Sequence, residues 1–263
     1  MTIVKPIDLA VTLLSRGRHS FDVAEAVETL GLSRVQTLQA LARLLKKGDI
    51  VSPARGFYLV VPPEYRTWGG PPGMSFIDSL MAHLGQLYYV ALLSAAAAHG
   101  GSHQAPQVFQ VMVRDNTFVR NKTVGRTRLR FYSNSNIGAD PVQKLNVPTG
   151  YVTVSTKETT VVDLVTKPRF SGGLGNVATI LREIGELRGA ELARVAARRD
   201  RSIVRRVGWL VEKFGEVDDI EALLQAARAD EGEPTPLSAA GGRRGALDKR
   251  WAMRVNVSVD PDV

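Results

Sequence analysis

The chain has 263 residues, 44% of them hydrophobic and 23% charged, which is enough for a small domain and a larger one, each with its own core. Thirty-four lysines and arginines against 26 aspartates and glutamates leave a net charge of +8, which fits an anionic partner, nucleic acid being the commonest. With no cysteine, disulfides, thiolate metal sites and cysteine nucleophiles are excluded.

The opening MTIVKPIDLAVTLLSRG lacks a small-residue cleavage site and reads as the start of a helix. No stretch reaches the roughly 18 apolar residues of a membrane span; Leu87 to Ala98, the longest mostly apolar one, is too short. The expectation is a soluble, cytoplasmic protein without a membrane partner. Pro6 suits a first helical position, Ile7, Leu9, Ala10, Leu13 and Leu14 supply an apolar stripe, and Gly17 ends it. Ser20 is a plausible N-cap for a second helix over Phe21 to Leu30, closed by Gly31. Ser33-Arg34-Val35-Gln36 is a capping box opening a third helix.

Along that third helix Val35, Leu38, Leu41, Ala42 and Leu45 are expected on the inward face, and Gln36, Thr37, Ala40, Arg43 and Lys47 on the outward one. After Gly48 come Ile50-Val51, a turn from Ser52 to Gly56 carrying Arg55, and a strand from Phe57 to Val61. Three helices followed by a hairpin with a basic tip is the order of a winged helix-turn-helix over residues 1–61. On this reading the DNA-binding residues are Ser33, Arg34, Gln36, Thr37, Ala40, Arg43, Lys47 and, at the hairpin tip, Arg55. Gln36 and Arg43 could form bidentate hydrogen bonds with adenine and guanine edges, and Thr37 and Ala40 could touch a thymine methyl. The plain alternative is a small helical domain whose polar face is only solvated.

Pro62-Pro63 and Gly69-Gly70-Pro71-Pro72-Gly73 mark a linker over 62–73, with Tyr65 and Trp68 available to pack on a neighbour. A mixed α+β domain is expected over 74–263, so the fold class is α+β. It begins with a long apolar helix from Ser75 to about His99. Strands are expected at Val108–Val113, Arg128–Tyr132 and Tyr151–Val154, then a helix capped by the box Ser155-Thr156-Lys157-Glu158. Further helices follow at about 176–186, 190–199, 202–214 and 219–229, with a last strand near 251–259. Arg114, Arg120, Lys122, Arg126, Arg128 and Arg130 form one basic run, and Arg194, Arg198, Arg199, Arg201, Arg205 and Arg206 a second. Arg128 and Arg130 are the candidates for extending a phosphate-contacting surface; a merely solvated face is the competing reading.

From Tyr65 onward the sequence resembles the AbiE-type antitoxins, transcriptional regulators of type IV toxin–antitoxin systems. The likeness rests on Pro63-Glu64-Tyr65-Arg66, Phe76-Ile77-Asp78, the run from Tyr88 to Gly100, His103 through Val111, and Val154 through Leu164. With the preceding winged-helix order it covers roughly residues 6 to 190, and the last seventy residues match nothing. The resemblance implies a repressor of its own operon, and the expected partner is an operator in double-stranded DNA built as an inverted repeat. It also implies antagonism of a co-encoded nucleotidyltransferase-like toxin without a stable complex.

Catalytic patterns are weak. His99 and His103 have a metal-ligand spacing, but Gly100-Gly101 lies between them and no carboxylate accompanies them. Gly172-Gly173-Leu174-Gly175-Asn176 lacks the spacing and lysine of a phosphate loop and reads as a tight turn. Glu158 and Asp163 fall on different helix faces. No catalytic residue, metal or cofactor is therefore assigned. The alternative function is an enzyme acting on nucleic acid or nucleotides with the winged helix as its targeting module. A nucleotidyltransferase-like reading frame immediately downstream would favour the antitoxin.

Overall fold

The computed structural model describes residues 4–101, 106–115, 119–229, 232–242 and 244–261. It is a mixed α+β structure in which the chain divides into two compact units that alternate along the sequence. The first takes residues 1–89, 107–137 and 144–153, and the second takes 90–106, 138–143 and 154–263. The division does not fall at residues 62–73, where the sequence pattern puts a linker.

In the first unit a 3-10 turn, Pro6–Asp8, leads into α1 (Leu9–Ser15), followed by β1 (Ser20–Asp22), α2 (Val23–Leu30), α3 (Arg34–Lys47), β2 (Ile50–Ala54) and β3 (Phe57–Val60). The strands form an antiparallel sheet in the order β1-β3-β2. Ser20-Phe21-Asp22 is thus a strand and not the first turn of a helix. Phe21 pairs with Tyr58 and stacks on its ring at 5.4 Å between centroids, an aromatic contact that a helical start would forfeit. The cap of α2 passes to Asp22, whose carboxylate accepts from the Glu25 amide at 2.9 Å. Leu9, Leu13, Phe21, Ala26, Leu30, Leu41 and Ile50 belong to one core cluster beneath these elements.

The proline-glycine segment that follows is built into this unit. Pro63–Trp68 forms a 3-10 helix, the Arg126 amide donates to the Trp68 carbonyl at 2.8 Å, and a side chain at Gly73 would meet the Phe109 ring at 2.6 Å. Close backbone approach, rather than flexibility, explains these glycines.

The single helix expected from Ser75 to His99 is instead α4 (Ile77–His83), β4 (Tyr88–Val90) and α5 (Leu92–Ala98). Gly85, at φ 63°, turns the chain out of α4. The extended stretch gives both tyrosine hydroxyls partners. Tyr88 donates to the Asp78 carboxylate at 2.9 Å and accepts from the Thr153 amide at 3.2 Å, while Tyr89 accepts from the Asn134 side-chain amide at 2.7 Å. Periodicity cannot register such polar satisfaction, so an apolar run that is part strand looked like continuous helix. With β5 (Val108–Val113), β6 (Lys122–Val124), β7 (Thr127–Ser133), β8 (Val142–Val147) and β9 (Gly150–Ser155), β4 completes a six-stranded mixed sheet ordered β6-β7-β5-β4-β9-β8. β5 and β7 run parallel, from Val108↔Arg128 to Val113↔Ser133, and β6 is antiparallel to β7.

The second unit contains α6 (Lys157–Thr166), α7 (Gly173–Glu183), α8 (Gly189–Ala196), α9 (Arg201–Phe214) and α10 (Ile220–Arg228). A small sheet of β10 (Thr235–Pro236), β11 (Ala246–Asp248) and β12 (Met253–Val255), ordered β10-β12-β11, follows them. The helix spans lie within a few residues of those expected. The cap of α6 does not: Thr156, not Ser155, accepts from the Thr159 amide. Ser155 is turned to the Val90 carbonyl and the Thr160 hydroxyl, and buried Glu158 forms an ion pair with Arg188 at 3.2 Å instead of closing a box. Trp251 is fully buried over Gly208 of α9, where any side chain would stand inside the indole. Among the described residues no helix is long and apolar enough to cross a membrane.

Candidate nucleic-acid interface

α3 is set by local chemistry at both ends. The Ser33 hydroxyl accepts from the Gln36 amide at 3.3 Å, and the Gln36 side-chain oxygen accepts from the Ser33 amide at 3.1 Å, a complete capping box. Gly48, at φ 77°, closes the other end with Lys46 and Lys47 in the last turn, where cations complement the helix dipole.

Its rotation differs from the one read off the sequence. The buried residues are Thr37, Ala40, Leu41 and Leu44, whereas Val35, Leu38 and Leu45 are 66%, 40% and 38% exposed. Thr37 and Ala40, expected to face a partner, are 0% and 5% exposed, so neither can touch DNA. Both stripes repeat at helical spacing, and hydrophobicity alone favours Val35, Leu38 and Leu45 as the inward one. The fold buries the one made of Thr37, Ala40, Leu41 and Leu44, which packs against α2 and β2. Around the outward face stand Arg34, Val35, Gln36, Leu38, Gln39, Ala42, Arg43, Lys46 and Lys47, all exposed.

The capping box also restricts Gln36. Its carbonyl oxygen additionally accepts from the Ser33 hydroxyl at 2.8 Å, so a two-point contact with adenine would break the box. Gln39, one turn further on, is exposed and was missed because the face was misassigned; its place opposite Thr37 and Ala40 was the signal for it. Lys47 lies 3.1 Å from buried Asp49, which also holds Arg66 at 2.8 Å, so part of its charge is compensated within the unit.

The hairpin β2–β3 turns at Arg55-Gly56, with Gly56 at φ 76°. Arg55 is exposed, and its carbonyl lies 3.2 Å from the His83 ring nitrogen, while that ring packs on Phe57 at 5.0 Å between centroids. The tip is therefore anchored through its backbone while its guanidinium stays in solvent. β2 packs beside β6, the strand that carries Lys122 of the first basic run. On β7, Arg128 is exposed and donates to the Gln107 side chain at 3.0 Å; Arg130, two residues on, is half-buried.

The second basic run is engaged internally. Arg199 is 8% exposed and pairs with buried Asp140 at 2.6 Å and Asp163 at 3.3 Å. Arg198 lies 3.5 Å from Asp140, Arg194 pairs with Glu191 at 2.6 Å, and Arg205 and Arg206 donate to the Glu233 and Pro236 carbonyls. Arg198, Arg199, Arg205 and Arg206 are thus engaged within the second unit, whereas the Arg194 pair lies on the surface of α8.

The residues weighed for catalysis have structural partners. His99 shares a 2.7 Å hydrogen bond with the Ser155 carbonyl, and burial drives its pKa below the ordinary value. His103 lies outside the described residues. Gly172 and Gly173 take φ 77° and 86°, and Asn176 donates back to the Ser171 carbonyl at 2.7 Å, which makes the glycine segment a closed turn. For Glu158, burial alone would raise the pKa, but hydrogen bonds from Arg188 hold it below the usual carboxylate range.

Comparison with known proteins adds two findings. Residues 89–213 match the family model described as the AbiEi antitoxin C-terminal domain. That match runs further toward the C-terminus than the resemblance seen in the sequence, taking in α8 and nearly all of α9. The crystal structure of the RV2827C protein from Mycobacterium tuberculosis is similar over 96% of this chain and 92% of that one, with a TM-score of 0.65 and 15% identity. At that identity the likeness is one of fold. No curated protein matches the chain.

Proposed function

We propose that this chain, whose residues 89–213 match the AbiEi antitoxin C-terminal domain, is a DNA-binding transcriptional regulator of the antitoxin kind. It represses its own operon and counters a co-encoded nucleotidyltransferase-like toxin, acting as a functional antagonist and not as the partner in a stable complex. The antagonism rests on the family; the DNA half rests also on the geometry. α2 and α3 are the helix pair, β2–β3 is the wing, and α3 enters the major groove. The observation that carries this reading is α3 itself, a capped 14-residue helix without an acidic residue that turns Arg34, Gln39, Arg43 and Lys46 outward.

Gln39 takes over the adenine-reading role first given to Gln36, and Arg43 remains the candidate for a guanine edge. Ser33, Arg34 and Lys47 lie at the two ends of α3 within reach of phosphates, Arg55 serves the wing, and Arg128 and Arg130 extend the charged surface along β7. The target is an operator in double-stranded DNA, built as an inverted repeat, read in the cytoplasm without a cofactor or catalysis. Footprinting the full chain on its own upstream region tests this. A protected site is expected, with affinity falling steeply in salt; Arg55→Ala should flatten the slope of log K against log salt by about one contact, and Arg43→Ala should relax the preference at particular positions of the site. Equal affinity for the upstream region and for random duplex would refute the proposal.

A further inference from the structure

The outward face of α3 is not simply polar. Val35, Leu38, Ala42 and Leu45 form an apolar stripe on it, with Val35 66% exposed at the second helical position. Arg34 flanks the stripe on one side, and Gln39, Arg43 and Lys46 run along the other. A solvent-facing valine and two leucines on one helix require a partner that removes them from water. The flanking charges decide which. Two copies of the chain meeting on this stripe would bring like charges together with no acidic residue on α3 to compensate. A polyanion carrying apolar points meets both demands, and the major groove of duplex DNA has such points in its thymine methyl groups.

Resting on the DNA-binding reading above, we infer that α3 selects its sites by A·T pairs, with Val35 and Ala42 packing on thymine 5-methyl groups and Gln39 pairing with adenine between them. From Val35 to Ala42 the helix rises about 10 Å, the length of roughly three base-pair steps. Gln39 lies four residues after Val35 and three before Ala42, on the same face, so the three side chains address adjacent pairs.

The test leaves the protein unchanged. Preferred duplexes are selected from a randomised pool with the full chain. Each thymine is then replaced singly by deoxyuridine, which removes only the methyl group. At one or two positions binding should weaken about fourfold, the value of one buried carbon. The Val35→Ala protein should lose the difference between thymine and uracil at one of those positions. Equal affinity for thymine and uracil at every position would overturn this inference and leave the DNA-binding reading standing. Retention of no duplex at all would overturn both. A chain that elutes as a dimer, and becomes monomeric as Val35→Glu, would assign the stripe to self-association and also overturn the inference.

Discussion

Thr37 is where two orientations of α3 make opposite predictions. Its side chain is 0% exposed, and its hydroxyl has no hydrogen-bond partner among the described residues. Thr37→Val keeps the branched shape and replaces that hydroxyl with a methyl. A buried hydroxyl left unpaired costs about 1–3 kcal/mol, the helix propensities of threonine and valine are nearly equal, and the added methyl has the transfer value of about one CH₂, ~0.8 kcal/mol. The variant should therefore be more stable than the parent by at least about 1 kcal/mol, which for a unit of this size is a rise of roughly 2–4 °C in Tm. Because Thr37 faces the core, affinity for a duplex selected by the parent protein should stay within about twofold. Thermal unfolding followed by circular dichroism and fluorescence anisotropy on the selected duplex measure the two quantities on one preparation. An unchanged or lower Tm together with weakened, less selective DNA binding would mean that Thr37 faces the groove, and the orientation argued for α3 would be wrong.

Gly208→Ala should destabilise the second unit by about 1–3 kcal/mol or more, because the new methyl would enter the ring of buried Trp251, which Glu212 holds by a 2.6 Å hydrogen bond; a urea midpoint unchanged from the parent would contradict that packing. Arg199→Met should cost about 3–5 kcal/mol, since it strips Asp140 and Asp163 of a shared buried cation, and the loss should shrink when Asp140→Asn is added. For His99, burial lowers the folded pKa below the ordinary 6.5, so the unfolded chain binds the proton first. Its contribution should be constant above pH 6.5 and decline as pH falls below it until the folded pKa is reached. Urea unfolding of His99→Asn should lose that part of the decline, and parallel pH profiles for the two proteins would refute it.

What the sequence determined by itself is what the backbone settles with its near neighbours. Ser33 and Gln36 announce the start of α3 and Gly31 and Gly48 mark two helix ends, because a cap or a left-handed turn needs only atoms a few residues away. The strand Val108–Val113 was legible for the same kind of reason, as a short run rich in β-branched residues. The tertiary structure decided where two local solutions compete. Both stripes of α3 have helical spacing, and only packing against α2 and β2 puts Thr37 and Ala40 inside and turns Val35, Gln39 and Ala42 outward. The run from Ser75 to His99 breaks into helix, strand and helix because Tyr88 and Tyr89 find hydroxyl partners at Thr153 and Asn134, distant in sequence. The second arginine run offered a phosphate surface by its charge alone, but Asp140 and Asp163, brought in from elsewhere in the chain, pair with Arg199 between α8 and α9. Charge and periodicity state what a segment can offer; which offers are taken up inside the protein depends on partners supplied by other parts of the chain.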